Sequence, residues 1–240
     1  MRLANKVALV TGGARGIGAA TALKLAQEGA DVALTYSKSA AAAEKVADAI
    51  KALGRKALVI KADAGQPETM GAMVDAVVKH FGKLDILVNN AGVFEGGGAI
   101  GAIDAAQFEH QLNVNVRAVF TTTQAAIKHL KAGGRIINIS SVVGERAIFP
   151  GISAYAMTKF AVAGMTRGWA QDLALQNITV NAILPGPIAT DMLPDGAEQV
   201  AAMKRAGKPE EVANVIAFIA SDEASYVTGA TIPVDGGANA

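Results

Sequence analysis

Short runs of consecutive apolar residues, each followed by a longer helical pattern, most constrain how this chain can fold. The first run covers 7–10 and leads through a glycine-rich turn into a helical pattern from about Ile17 to Gln27. The rhythm continues with a strand over 32–35, a helix over 39–53, a strand over 57–60, a helix opened by Pro67 and ending near Gly82, and a strand over 84–88. The second half repeats it. Asp104 caps a long helix reaching about Lys131, and a strand over 135–139, a helix from Ser153 to about Gln176 and a strand over 178–183 follow. A helix from Pro209 to about Ala220 and a short strand over 231–234 close the chain. Strands that are apolar on both sides must be covered on both sides, which implies parallel pairing between two helical layers. The expected class is therefore α/β, a doubly wound parallel sheet with helices on both faces. No break divides residues 1–240. Ligands of such a sheet bind at the carboxyl ends of its strands, near the point where strand order reverses.

Composition narrows the function classes. Hydrophobic residues make up 51% and charged residues 18%, enough for a sizeable core. A net charge of +1 gives no electrostatic pull toward nucleic acid or an anionic membrane. The absence of cysteine excludes disulfides and thiolate metal sites, and His80, His110 and His129 lack ligand spacing, so no metal is expected. Residues 1–6 run straight into the first strand without signal-peptide anatomy. No stretch of about 18 uncharged apolar residues suits a membrane span. A soluble, cytoplasmic protein is the expectation.

The turn Thr11-Gly12-Gly13-Ala14-Arg15-Gly16-Ile17-Gly18 lies between the first strand and the first helix. Glycines there let the backbone approach a pyrophosphate, and the helix N-terminus offers free N–H groups and partial positive charge. The alternative is an ordinary strand–helix loop. The spacing Thr-Gly-x3-Gly-x-Gly resembles the cofactor motif of the short-chain dehydrogenases/reductases. Further matches follow in that family's order: Asn89-Asn90-Ala91-Gly92, Ser141, Tyr155-x3-Lys159, Pro185-Gly186 and Val234-Asp235-Gly236-Gly237. The resemblance spans nearly the whole chain and implies a single-domain Rossmann-type fold, an NAD(P)-dependent oxidoreductase and a homotetramer.

An acid at the end of the second strand would select NAD by bonding the ribose 2′-hydroxyl, whereas cations accommodate the 2′-phosphate of NADP. Here the strand ends Leu34-Thr35-Tyr36-Ser37-Lys38 without an acid, and Arg15 and Lys38 offer positive charge beside Ser37. NADP(H) is expected over NAD(H), the alternative being that both cations are solvated surface residues. The resemblance also places Asp63 and Ala64 at the adenine, Asn89, Ala91 and Gly92 along the adenosine ribose, and Pro185, Gly186, Ile188 and Thr190 around the nicotinamide. Turn chemistry is the alternative for Asp63 and for Asn89 to Gly92.

Tyr155 and Lys159 share one helical face. The resemblance implies that Tyr155 exchanges the proton with a carbonyl oxygen. A free tyrosine titrates near about 10, and a neighbouring ammonium favours phenolate. Lys159 is expected to act in this way while also bonding the nicotinamide ribose. An amphipathic helix with one aromatic and one exposed lysine is the bland alternative. A serine at the end of the fifth strand can stabilise charge on the substrate oxygen; Ser140 and Ser141 are adjacent there, and the resemblance gives this role to the second, Ser141. Asn115 is a poor helix-interior residue, and the resemblance gives it a water in a proton relay. The segment 191–206 is expected to form a short lid. Phe94, Ile148, Phe149, Met192 and Leu193 are candidates to line an apolar substrate cleft, beside Glu95 and Arg146. The expected reaction is hydride transfer between NADP(H) and a small ketone or secondary alcohol. A 3-oxoacyl-(acyl-carrier-protein) reductase, a sugar or polyol dehydrogenase and a non-catalytic nucleotide sensor remain as alternatives.

Overall fold

The structure is a computed structural model and describes residues 1–95, 97–147 and 149–240. Its strands are β1 (Val7–Val10), β2 (Asp31–Tyr36), β3 (Ala57–Lys61), β4 (Ile86–Asn89), β5 (Arg135–Ile139), β6 (Thr179–Pro185) and β7 (Thr231–Val234). Its helices are α1 (Gly16–Gln27), α2 (Ala40–Ala52), α3 (Met70–Phe81), α4 (Ala105–Leu112), α5 (Ala118–Ala126), α6 (Ser153–Leu173) and α7 (Pro209–Ile219). The strands form one parallel sheet in the order β3-β2-β1-β4-β5-β6-β7.

Alternation along each strand explains why the runs are apolar throughout. Ala8, Val10, Val32, Leu34, Val88 and Ile137 face one layer, with Leu25 of α1, Ile50 of α2 and Ile216 of α7. Val7, Leu9, Ala33, Leu87 and Ile136 face the other, with Val74 of α3, Ala125 of α5 and Leu173 of α6. Central strands β1, β4, β5 and β6 are buried along their whole length, while edge strands β3 and β7 are mostly half-buried. Pro233 sits on edge strand β7, which pairs only with β6, where a missing N–H is tolerated. No helix of the described residues is long and apolar enough to cross a membrane.

Strand order reverses between β1 and β4. The chain winds outward through β2 to β3, then crosses back to place β4 on the other side of β1. The loops that leave β1 and β4 therefore diverge and open a crevice at their carboxyl ends.

The expected continuous helix over 104–131 is not formed. Asp104 does cap α4, its side chain accepting from Gln107 N at 2.9 Å. After Leu112 the helix widens into a π turn, Asn113–Arg117, before α5 begins, and α5 stops at Ala126. The cause of the π turn is tertiary: it lets Asn115 reach another segment, as described below.

Candidate active site

The two loops at the switch point are knitted together by polar groups. The Thr11 hydroxyl accepts hydrogen bonds from Asn90 N at 2.9 Å and Ala91 N at 3.0 Å. Asn90 Nδ2 donates back to the carbonyls of Thr11 and Gly12 at 2.8 and 3.1 Å. Gly12 N donates to the Thr35 hydroxyl at 3.0 Å, which ties the turn to β2. A Cβ on Gly18 would stand 2.2 Å from Gly12 O, so α1 can enter this close only without a side chain there. Gly16 adopts φ +51°, and a Cβ on it would meet the Thr190 methyl at 3.0 Å.

These contacts leave the N-terminus of α1 open. Its N-cap, Arg15, makes no side-chain cap, and the first turn holds no acid. Free N–H groups and the helix dipole together suit an anion. Ile17 is half-buried beside them. At the end of β2, Tyr36 and Ser37 are half-buried and Lys38 is exposed. Arg15 is exposed as well, and its Nη1 lies 2.8 Å from Asp191 Oδ2. Asp63 is exposed, with Oδ1 accepting from Gly65 N at 3.0 Å in a tight turn, and Ala64 beside it is half-buried.

Asn89 departs from expectation. Its side chain points into the protein, donating to the Thr123 hydroxyl at 2.9 Å and to Asn138 Oδ1 at 2.8 Å. Asn138 Nδ2 donates in turn to the Thr166 hydroxyl at 2.9 Å. Strand parity is the reason: Asn89 shares a face with Leu87, toward α5 and α6. The amide is committed to this buried ladder and is not offered to a ligand. Ala91 and Gly92 do border the crevice. A Cβ on Gly92 would lie 3.5 Å from both Asn115 Oδ1 and Lys159 Nζ.

Asn115 grips the backbone that follows Gly92. Its Oδ1 accepts from Val93 N and its Nδ2 donates to Val93 O, each at 2.9 Å. Nδ2 also donates to the Thr158 hydroxyl at 3.2 Å, and that hydroxyl donates to Tyr155 O at 2.7 Å. Val93 and, through Thr158, the first turn of α6 are thus fixed to one side chain.

Ser141 leaves β5 in extended backbone and caps the short turn 142–144, its Oγ accepting from Val143 N at 3.3 Å. The neighbouring Ser140 points away and donates to Lys159 O at 2.9 Å. Lys159 is only 4% exposed, and its ammonium donates to Ile139 O at 3.1 Å. Burial, which disfavours the charged form, pulls it down to about 8. Burial also pushes the Tyr155 hydroxyl up to about 12, against a smaller opposing effect of the nearby Ser141 hydroxyl. Burial thus sets an upward direction for the phenol, where the Lys159 ammonium was expected to lower it.

Pro185 and Ile188 are buried, and Gly186 packs so closely on Asp235 that a Cβ would approach its Cα to 2.7 Å. Ile188 bridges to Gly207, so the segment between them is pinned at its base. Thr190 accepts from Met192 N at 3.4 Å and from Leu193 N, through its carbonyl, at 3.0 Å. Phe94 meets the Tyr155 ring edge-on at 5.1 Å between centroids. Phe149 and Met192 are exposed, Leu193 is half-buried, and Ile148 lies outside the described residues. Gly98 N donates to Gly151 O at 2.9 Å, joining the loops that carry Phe94 and Phe149. Glu95 is engaged by His110 Nδ1 at 2.7 Å, and Arg146 is exposed.

Sequence reasoning missed Thr11, Asn90, Thr123, Asn138, Thr158 and Thr166 as the groups that fix this geometry. For Thr11, Asn90 and Asn138 the available signal was a polar residue in or just after an otherwise apolar strand; Thr123, Thr158 and Thr166 lie within α5 and α6 and carried no such signal.

Comparison with known proteins agrees with this geometry. The family model described as enoyl-(acyl carrier protein) reductase matches residues 12–239. A short chain dehydrogenase from Burkholderia cenocepacia, solved in complex with NADP, is 47% identical with a TM-score of 0.97, and each chain covers 100% of the other. Versicolorin reductase of Emericella nidulans is 41% identical over 256 residues, spanning 99% of this chain and 97% of its own. The 3-oxoacyl-(acyl-carrier-protein) reductase of Staphylococcus epidermidis is 39% identical over 242 residues, spanning 97% of this chain and 98% of its own.

Proposed function

Because the chain belongs to the short-chain dehydrogenase/reductase family, we propose that it reduces the carbonyl of a small ketone with NADPH and oxidises the matching secondary alcohol in reverse. The observation that carries this reading is the Lys159 ammonium 5.5 Å from the Tyr155 ring, with the Ser141 hydroxyl close enough to lower the Tyr155 phenol, at the carboxyl end of β5.

The residues present fit NADP(H). The uncapped α1 N-terminus suits a pyrophosphate held by Gly12, Gly16, Ile17 and Gly18. The end of β2 has no acid, and Arg15, Ser37 and Lys38 suit a 2′-phosphate, with Tyr36 beside them. Asp63 and Ala64 would border the adenine, and Ala91 and Gly92 the adenosine ribose. Lys159 would hold the nicotinamide ribose. Ile188 and Thr190 would meet its carboxamide, over a floor of Pro185 and Gly186. The bound nicotinamide supplies the hydride.

The chain's own residues then manage the proton. Ser141 orients the substrate oxygen and stabilises charge developing there. Tyr155 keeps its proton at neutral pH and delivers it to that oxygen. Asn115 works through the backbone of Val93 and through Thr158, both of which it fixes. Both Nδ2 hydrogens are committed, which leaves a relay water the second lone pair of Oδ1.

Phe94, Phe149, Met192 and Leu193 give the cleft apolar walls, and 191–206 closes over it as a lid. Such walls favour a small ketone over a polyol. Carrier-protein docking has less support, because Arg117 is already paired with Glu109 at 2.9 Å. The α5–α6 face presents Phe120, Met157 and Phe160 to solvent, which supports assembly into a homotetramer. A cytoplasmic location fits the same reading.

The test is a ketone panel assayed with both cofactors, in the native chain and in Tyr155→Phe. NADPH-dependent turnover that falls by about 10²- to 10⁴-fold in the variant, with cofactor affinity retained, is the expected result. Near-normal turnover in Tyr155→Phe, or a clear preference for NADH, would overturn the corresponding assignment.

A further inference from the structure

Arg15 and Asp191 lie 176 residues apart in the chain and meet where the first turn of α1 approaches the segment after β6. Arg15 is the N-cap of α1, and Asp191 opens the 191–206 segment. Their ion pair measures 2.8 Å, with side chains 64% and 78% exposed. Beside it, the Thr190 methyl occupies the space that a Cβ on Gly16 would need. Among the described residues, this is the only ion pair made by the turn over 11–18.

The turn contains one cation, Arg15. With Asp191 in place that cation is neutralised by a carboxylate of the chain itself. A dianionic phosphate arriving at Arg15 must either take the guanidinium from Asp191 or share it with a second anion. An uncharged hydroxyl meets neither demand. The pair is exposed, so its partners exchange readily and the competition is decided by small differences.

We infer that Asp191 competes with the cofactor's 2′-phosphate for Arg15, weakening NADP(H) binding while leaving NAD(H) binding unaffected. This rests on the reading that Arg15 meets the 2′-phosphate. Lys38, which makes no ion pair among the described residues, lies outside the competition and keeps a basal preference for the phosphate. Asp191 thus limits how tightly the phosphorylated cofactor is held, without setting which cofactor is preferred.

Direct binding to the apo-protein tests this by titration with NADPH, NADH, 2′-AMP and 5′-AMP, for the native chain, Asp191→Asn, Arg15→Ala and the double variant. Asp191→Asn should tighten NADPH and 2′-AMP about fivefold, the scale of an exposed ion pair, and shift NADH and 5′-AMP less than about twofold. Arg15→Ala should weaken NADPH and 2′-AMP selectively, and in that background the gain from Asp191→Asn should largely vanish. If Arg15→Ala discriminates between the phosphorylated and unphosphorylated ligands but Asp191→Asn does not, the inference falls and the reading of Arg15 stands. If Arg15→Ala itself fails to discriminate, that reading fails and the inference falls with it. Salt should erode the effect of Asp191→Asn, since screening weakens exposed pairs first.

Discussion

The ammonium of Lys159 lies 5.5 Å from the centre of the Tyr155 ring and gives a hydrogen bond to the carbonyl of Ile139. It therefore faces the aromatic ring within cation–π range, on a side chain that is almost wholly buried. Both groups are shifted toward their neutral forms, the phenol upward and the ammonium downward. A phenol that holds its proton is a donor, so the pair is set for reduction at neutral pH.

The pH dependence should differ between the two directions. Reductive turnover should be flat through neutrality and fall above about pH 8, where Lys159 loses its charge and no longer helps Tyr155 release a proton. Oxidation needs the phenolate and should climb steadily with alkaline pH, because Tyr155 titrates only near about 12. Rate profiles in both directions check this. A reductive rate that rises above about pH 8 would contradict it.

Lys159→Met should abolish turnover and stabilise the fold. Lys159 is pulled from an ordinary 10.5 to about 8, so between those values the unfolded chain holds a proton that the folded chain lacks. Stability should therefore rise with pH across that window, and the full penalty of the buried charge applies below it. Removing the charge should recover about 1–3 kcal/mol at neutral pH and flatten this dependence. Thermal melts from neutral to alkaline pH read both effects. A variant less stable than the native chain at neutral pH would refute the account.

Asn115→Ala should leave the sheet intact and loosen the active-site loop. Val93 would lose both amide contacts and Thr158 one, so Phe94 and Tyr155 would no longer be held together. Misplacement of this kind lowers kcat by about 10²-fold. Cofactor affinity should change far less, because the α1 N-terminus is untouched. Steady-state kinetics beside a binding titration separate the two; an unchanged kcat would remove Asn115 from the positioning role.

Asn138→Ala should reduce stability by about 1–3 kcal/mol, because it leaves one amide hydrogen of buried Asn89 without a partner and removes a donor from Thr166. Denaturant unfolding measures the loss. A double variant with Asn89→Ala should lose less than the sum of the two single variants, since the groups share one ladder.

Much of this fold was legible because its signals are local. Apolar runs located every strand to within two residues, and the glycine turn stood where the structure places the open α1 N-terminus. Tyr155, Lys159 and Ser141 were named through the family resemblance, spacing alone being weak, and the structure brings Tyr155 and Lys159 together. The π turn at 113–117 was not legible, because its cause is the grip of Asn115 on Val93, a contact with a distant loop. The Arg15–Asp191 pair was hidden for the same reason. The inward aim of Asn89 was readable in principle from its parity with Leu87, but its motif drew attention to the ligand side. The Tyr155 shift depends on how deeply the crevice buries a hydroxyl, which no local pattern records.

The Asn89–Asn138 contact has a consequence for strand alignment. These residues are direct Cα partners in the β4–β5 pairing. Where a strand is apolar toward both layers, sliding it by one position still buries apolar side chains, so hydrophobicity scarcely penalises the slip. Two asparagines on neighbouring strands do penalise it, because a one-step shift would turn one amide into hydrocarbon on the opposite layer. The ladder thus acts as an index mark for the middle of the sheet, and the carboxyl ends of β4 and β5 lie level with each other because of it.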